Sequence, residues 1–147
     1  MDISIDLHLH FDGSLSVDTV KTLAKRQNIS LPDDLTLKKM LAVEDGCRDL
    51  GEYLTKFDFP LSLLQTEEAI SEAMYMLCRE LLDEGTVYAE IRFAPQLHTR
   101  GGLTQKQVVK AAINGFERSG LCGGLILCCM RGSNNYDLNL EIGRAHV

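Results

Sequence analysis

The sequence lacks three features that mark particular classes of protein. It has no apolar run long enough to span a bilayer, so we expect no membrane partner. It has no cluster of Lys and Arg longer than a pair, and with a net charge of −6 this argues against a nucleic-acid-binding face. The N-terminus lacks the basic-then-apolar order of a signal peptide, because Asp2 and Asp6 interrupt it. The 147 residues therefore predict one ordinary globular domain, which we expect to be cytoplasmic.

The cysteines also lack a recognisable spacing. There are five, an odd number, and they do not form the pattern of a disulfide framework. Cys128 and Cys129 are adjacent, so on a strand they would point to opposite faces and could not act as a CxxC metal clip. We expect reduced thiols, as is usual in the cytoplasm.

Three short segments have the pattern of β-strands. Residues 3–10 alternate strictly, with Ile and Leu on one face and Ser4, Asp6, His8 and His10 on the other. Residues 86–94 alternate again, and residues 124–131 are continuously apolar, as in strands buried on both faces. Glu90 and Arg92 share one face of the second strand, which predicts a buried ion pair.

Helical patterns separate these strands. Ser16 can cap a helix that ends near residue 27, Thr66 can cap a longer one that Gly85 ends, and Thr104 with Gln107 fits a capping box. Between residues 28 and 63 we expect two or three short helices, with breaks near Pro32, Gly46–Gly51 and Pro60.

The order of these elements predicts an α/β fold. Strands separated by helices are typically parallel, with right-handed crossovers. Three parallel strands cannot close a barrel by themselves, and a closed eight-fold barrel needs at least ~200 residues. If that is the architecture, the chain is the N-terminal portion of a TIM-type (β/α)8 barrel, with about three βα units plus extra helices. We assign residues 1–140 to this single domain. Residues 141–147, EIGRAHV, have no periodicity and match one reading frame of a common sequencing-library adapter, so we expect a non-native tail.

His8 and His10 predict a metal site at the end of the first strand. Residues two apart on a strand point the same way, with Cα atoms ~6.5–7 Å apart. Two imidazoles at that spacing can converge on one ion held ~2.0–2.1 Å from each nitrogen. In parallel barrels the active site lies at the C-terminal ends of the strands, where Asp12 would follow in the next turn.

The motifs HLHFDGSL, YAEIRFAPQLH and LILCCMR, in this order, resemble adenosine deaminases of the metal-dependent amidohydrolase superfamily. The resemblance implies hydrolysis of adenosine or 2′-deoxyadenosine to inosine and ammonia by a barrel enzyme with one zinc ion per full-length subunit. It implies that His8 and His10 are zinc ligands and that Asp12 contacts the nucleoside sugar. The segment GEYLTKF resembles the family's helical lid, which would place three apolar side chains over a small-molecule nucleoside substrate: Tyr53, Leu54 and Phe57. A core role for these three remains equally open.

The family pattern is incomplete in this chain. It requires a third histidine ligand, a general-acid glutamate, a further histidine and an aspartate on later strands, and none of these can be assigned. No catalytic residue is therefore named, and we expect this segment to be inactive alone. His98 is predicted to be a surface or loop residue. The HxE and PCxxC motifs of the other nucleobase deaminases do not occur.

Two other readings of the sequence remain open. One is another HxH metal-dependent hydrolase of the same barrel class, such as an adenine deaminase or a phosphoesterase. The other is a catalytically dead, truncated binding module.

Overall fold

A three-stranded parallel sheet forms the centre of the chain. The computed structural model describes residues 3–42, 56–131 and 139–140. The strands are β1 (Ser4–His10), β2 (Thr86–Phe93) and β3 (Cys122–Leu127), and β2 lies in the middle. β1 pairs with β2 and β2 pairs with β3, both in parallel. The predicted βα order and the parallel sheet are confirmed.

Five helices and one short 3-10 turn connect and cover the strands. The helices are α1 (Val17–Arg26), α2 (Asp34–Leu41), α3 (Asp58–Leu63), α4 (Glu67–Asp83) and α5 (Gln105–Ser119), and the 3-10 turn is Pro95–His98; these are the elements of the described ranges.

Each predicted helix start has the predicted cap. The Ser16 hydroxyl accepts a hydrogen bond from the Thr19 amide, and the Thr66 hydroxyl accepts one from Ala69. Thr104 begins α5, with both hydrogen bonds of the capping box present. Local capping chemistry therefore sets where α1, α4 and α5 begin.

Proline 60 does not break a helix, contrary to the prediction. It lies at the third position of α3, in the first turn. The backbone N–H of a first-turn residue has no acceptor within the helix, so a proline there removes no hydrogen bond. The predicted break near Gly46–Gly51 lies outside the described residues.

The core lies between one face of the sheet and the helices α1, α4 and α5. Ala89, Ile91 and Phe93 of β2 are buried in one apolar cluster with residues of α4 such as Ile70 and Met74. Gly115 brings α5 close to α4, since a Cβ there would lie within 2.2 Å of the Ser71 carbonyl oxygen. Cys78, also in this core, has its thiol pKa raised to about 11 by burial.

The two outer strands are less buried than the central one. The residues of β3 are exposed or half-buried, which differs from the prediction of a strand covered on both faces. On β1, Ile5 and Leu7 are 62% and 56% exposed. These apolar side chains lie on an outer strand of the described sheet. None of the described helices is long and apolar enough to span a membrane.

Candidate metal site

The two histidines of the first strand lie side by side. The ring centroids of His8 and His10 are 5.3 Å apart, with an angle of 36° between the ring planes. Both residues are exposed, at the C-terminal end of β1. The prediction that these two imidazoles share one side of the strand end agrees with this arrangement.

The strict alternation predicted for β1 is wrong, because its pairing with β2 shifts between Ser4 and Ile5 and again between Asp6 and Leu9. Asp6 pairs with Ala89 of β2, and Leu9 pairs with Ile91, so three steps on β1 match two on β2. This is the register of a β-bulge, in which one extra residue interrupts the side-to-side pattern. Paired residues of neighbouring strands point to the same face. The Asp6 side chain is therefore on the same face of the sheet as buried Ala89, and not on the face of His8 and His10.

Arg92 lies beside the histidine pair but makes a different contact from the one predicted. In the register His10 pairs with Arg92, and Arg92 Nη2 donates to the Leu7 carbonyl oxygen over 3.0 Å. Glu90 accepts a hydrogen bond from the Tyr88 hydroxyl at 3.3 Å. No ion pair forms between Glu90 and Arg92 within the described part of the chain, so that prediction is wrong. The Leu7 carbonyl oxygen, rather than the Glu90 carboxylate, is the hydrogen-bond partner of the Arg92 guanidinium.

Asp12 and Phe57 lie together at a small cavity beyond the end of β1. The cavity has a volume of about 70 Å³, and its lining includes Asp12, Gly13, Lys56 and Phe57. Asp12 is only 7% exposed. A Cβ at Gly13 would lie 2.6 Å from Cε1 of Phe57, so the absence of a side chain allows the aromatic ring to approach the backbone here. The other two predicted lid residues, Tyr53 and Leu54, lie outside the described residues.

His98 lies in the connection between β2 and α5, as the loop prediction has it, but it is buried in the core rather than at the surface. It ends the 3-10 turn, is fully buried and has its ring centroid 5.7 Å from that of Phe93 and 6.0 Å from that of Phe11. Its Nδ1 is 3.0 Å from the Leu64 carbonyl oxygen, while its Nε2 is buried without a partner in the described structure. Since a carbonyl can only accept, the Nδ1–H tautomer fits this contact. The turn-rich sequence around His98 did not reveal this burial.

The burial of His98 predicts acid sensitivity. Burial lowers the pKa of the imidazole below its ordinary value, and Arg100 acts in the same direction, against the Leu64 hydrogen bond and Asp12. The unfolded state therefore binds a proton more readily than the folded state. The contribution of neutral His98 to the free energy of unfolding should be complete above pH ~6.5. It should fall as the pH drops through that value, by at most ~1.4 kcal/mol per pH unit.

The measurement is the free energy of unfolding of the metal-free, full-length protein by urea between pH 5 and pH 8 (~±1.5 units around the ordinary pKa of histidine). The His98→Asn variant should be less stable throughout but should show a flatter pH dependence. Equal slopes for the two proteins would contradict a neutral, buried His98.

The donors at the end of β1 suit a borderline metal ion. Imidazole nitrogen is a common zinc ligand, and two imidazoles can supply two of the positions of a tetrahedral ion. Within the ranges 3–42, 56–131 and 139–140, no group of three or more His, Cys, Asp or Glu side chains could hold a metal. His8 and His10 thus fit two positions of a zinc site. The other ligands of such a site would come from outside the described residues.

Comparison with known proteins identifies the chain's family. The adenosine deaminase family matches residues 4–146, nearly the whole chain. The chain belongs to the adenosine deaminase family. The adenosine deaminase of Haemophilus ducreyi is 50% identical over 145 residues, covering 93% of this chain and 42% of the relative. The adenosine deaminase of Enterococcus faecalis is 38% identical over 147 residues, covering 97% of this chain and 44% of the relative.

Solved structures confirm the predicted fold. A crystal structure of adenine deaminase from Arthrobacter aurescens matches with a TM-score of 0.74 at 24% identity, covering 97% of this chain and 45% of that one. An amidohydrolase from Burkholderia ambifaria, solved with bound Zn, matches with a TM-score of 0.66 at 17% identity, covering 85% and 35%. The sheet and helices are therefore those of the N-terminal part of a TIM-barrel deaminase.

This member of the adenosine deaminase family spans less than half the length of the relatives it matches. The family match runs past residue 140, the boundary predicted for the native domain. That boundary, the tail at 141–147 and the individual site residues stay predictions.

Proposed function

We propose that the full-length protein containing this chain is a zinc-dependent adenosine deaminase. The observation that carries this proposal is the paired His8 and His10 at the end of β1 in a chain of this family. The substrate would be adenosine or 2′-deoxyadenosine, and the products inosine and ammonia. We further propose a cytoplasmic enzyme of purine metabolism that acts on a small molecule, which the family and the acidic, globular composition support.

His8 and His10 would hold the zinc ion through one ring nitrogen each. When bound, zinc acts as a Lewis acid that lowers the pKa of water to near neutrality. The role of the two imidazoles is to fix the ion at the strand end. Their exposure leaves that end accessible to a ligand.

Asp12 and Phe57 would bind the nucleoside beside that metal. The Asp12 carboxylate is nearly buried, so a hydrogen bond from a sugar hydroxyl there would be poorly screened by water. Phe57 presents an apolar ring to the same cavity, where it would exclude water from the substrate. We propose Tyr53 and Leu54 as further apolar lid residues on the resemblance alone.

The test is a substrate comparison with the purified full-length protein. Adenosine, 2′-deoxyadenosine and adenine are assayed for ammonia release, with the zinc content measured in the same preparation. We expect turnover of both nucleosides, loss of turnover on metal removal by a chelator, and recovery on zinc addition. Release of ammonia from adenine alone would instead identify a base deaminase, and zinc binding without any deamination would favour another hydrolase.

The role of Asp12 is tested in the same assay. Losing a hydrogen bond to a charged group costs ~1.5–3 kcal/mol, so Asp12→Ala should lower kcat/KM for adenosine ~10–100-fold. The matched control is Asp18→Ala, which removes an exposed carboxylate on α1 and should leave kcat/KM unchanged.

A further inference from the structure

Side chains bind both polar groups of the peptide that links Leu7 to His8. The Leu7 carbonyl oxygen accepts a hydrogen bond from Arg92 Nη2 at 3.0 Å. The His8 amide donates to Asp6 Oδ1 at 2.9 Å. This peptide lies within the register shift between Asp6 and Leu9, where β1 departs from regular pairing with β2.

A bulge normally leaves its extra residue unpaired and disrupts the ladder locally. Here two side chains bind the carbonyl and the amide of a peptide within the register shift. The charges have the correct signs, since the guanidinium faces the negative end of the peptide dipole and the carboxylate faces the positive end. Hydrogen bonds to ionised groups are shorter and stronger than neutral ones.

Arg92 is held in place for this contact from the neighbouring strand. Its Cα pairs with that of His10, so the same residue lies beside one histidine and binds the peptide preceding the other. Its Nε is buried without a hydrogen-bond partner in the described part of the structure. The Leu7 carbonyl is therefore the contact that orients the guanidinium.

We propose that Asp6 and Arg92 are positioning residues that hold the Leu7–His8 peptide and so direct the His8 imidazole toward the metal. The peptide plane fixes the backbone at His8, and a rotation of that plane would swing the ring away from His10. Zinc ligands must lie within ~0.2 Å of their ideal distance, so a small rotation weakens binding. This inference rests on the proposed function, because it needs a metal at His8 and His10.

The experiment measures the zinc affinity of the full-length protein by competition with a chromophoric chelator. Four variants are compared with the wild type: Arg92→Met, Arg92→Lys, Asp6→Ala and Asp6→Asn. Loss of a residue that orients a ligand typically weakens metal affinity ~10–100-fold, and we expect this for Arg92→Met and Asp6→Ala. Asp6→Asn should bind zinc nearly as well as the wild type, because its amide oxygen can still accept from the His8 amide. Arg92→Lys should be intermediate, since it keeps the charge and one donor.

Two further readouts separate positioning from general stability. The absorption spectrum of the cobalt-substituted protein should change in Arg92→Met and Asp6→Ala but not in Asp6→Asn. Hydrogen exchange of the His8 amide in metal-free protein should accelerate in Asp6→Ala. The matched control is Arg118→Met, which removes an ion pair with Glu72 on the helical surface and should leave zinc affinity and spectrum unchanged.

Failure of the two proposals would look different. A wild-type protein that binds no zinc would overturn the proposed function and the positioning role together. A wild type that binds zinc, with folded Arg92→Met and Asp6→Ala variants of equal affinity and unchanged spectra, would overturn the positioning role alone. If Arg92→Met fails to fold, the zinc affinities of Asp6→Ala and Asp6→Asn are compared instead. Both variants should fold, because Asp6 is partly exposed and is not one of the buried core residues.

Discussion

Replacing His8 or His10 with alanine in the full-length protein should abolish stoichiometric zinc binding and lower kcat/KM for adenosine at least ~1000-fold. A Lewis-acidic metal supplies several kcal/mol of transition-state stabilisation, and each ~1.4 kcal/mol is a factor of ten in rate. The two rings lie 5.3 Å apart, so removing either leaves a single imidazole at the end of β1. Both residues are exposed, and we therefore expect the metal-free variants to keep the wild-type stability.

Zinc content, kcat/KM and the urea midpoint of the metal-free protein are the three measurements. The matched control is His98→Asn, a histidine of the core whose loss should lower the urea midpoint while zinc still binds. A His8→Ala variant with full zinc content and wild-type turnover would contradict the proposed site.

Most of the local structure could be predicted from the sequence because it depends on short-range chemistry. The caps at Ser16, Thr66 and Thr104 satisfy the first amides of their own helices, so their partners lie within three residues. Gly85 follows α4 with a φ of +96°, a conformation that favours glycine and ends the helix where predicted. Elements with such local signals were confirmed.

Two of the departures, the irregular register of β1 and the burial of His98, involve partners that are distant in sequence. The irregular register of β1 lies at the contact between Arg92 and the Leu7 carbonyl, 85 residues apart, and alternation within residues 3–10 could not reveal it. His98 is buried against Phe11, which follows β1, and Phe93 of β2, although its own segment has the sequence of a turn. Arg92 donates to the Leu7 carbonyl oxygen of the neighbouring strand instead of pairing with Glu90, a contact that no local pattern within β2 could indicate.

Only the part of the candidate site that lies on β1 and just after it could be predicted from the sequence. In a parallel barrel, active-site side chains come from the ends of several strands. The spacing of His8 and His10 at the end of β1 predicts a metal site, while the role of Asp12 is implied by the resemblance to adenosine deaminases; both stay predictions. The positioning contacts of Asp6 and Arg92 required the structure, since they act on a peptide group and leave no motif in the sequence.

Phe11→Ala should destabilise the protein by ~3–5 kcal/mol, the usual cost of removing a buried aromatic ring. Phe11 is fully buried, with its ring centroid 5.8 Å from that of Phe93 in an edge-to-face contact and 6.0 Å from that of His98. Its amide donates to the Arg92 carbonyl oxygen at 3.0 Å, which extends the β1–β2 pairing beyond His10. The same residue therefore packs the core and holds the backbone between the proposed metal ligand His10 and Asp12.

The free energy of unfolding from urea denaturation of the metal-free, full-length protein tests this expectation. Phe11→Leu keeps much of the apolar volume and should lose less stability than Phe11→Ala. The control is Ile113→Ala, at a residue of α5 that is 40% exposed, where we expect a smaller loss. Because Phe11 lies between His10 and Asp12 in sequence, its loss should also weaken zinc binding and raise KM for adenosine. Equal losses for Phe11→Ala and Ile113→Ala would show that the strand end is not anchored through Phe11.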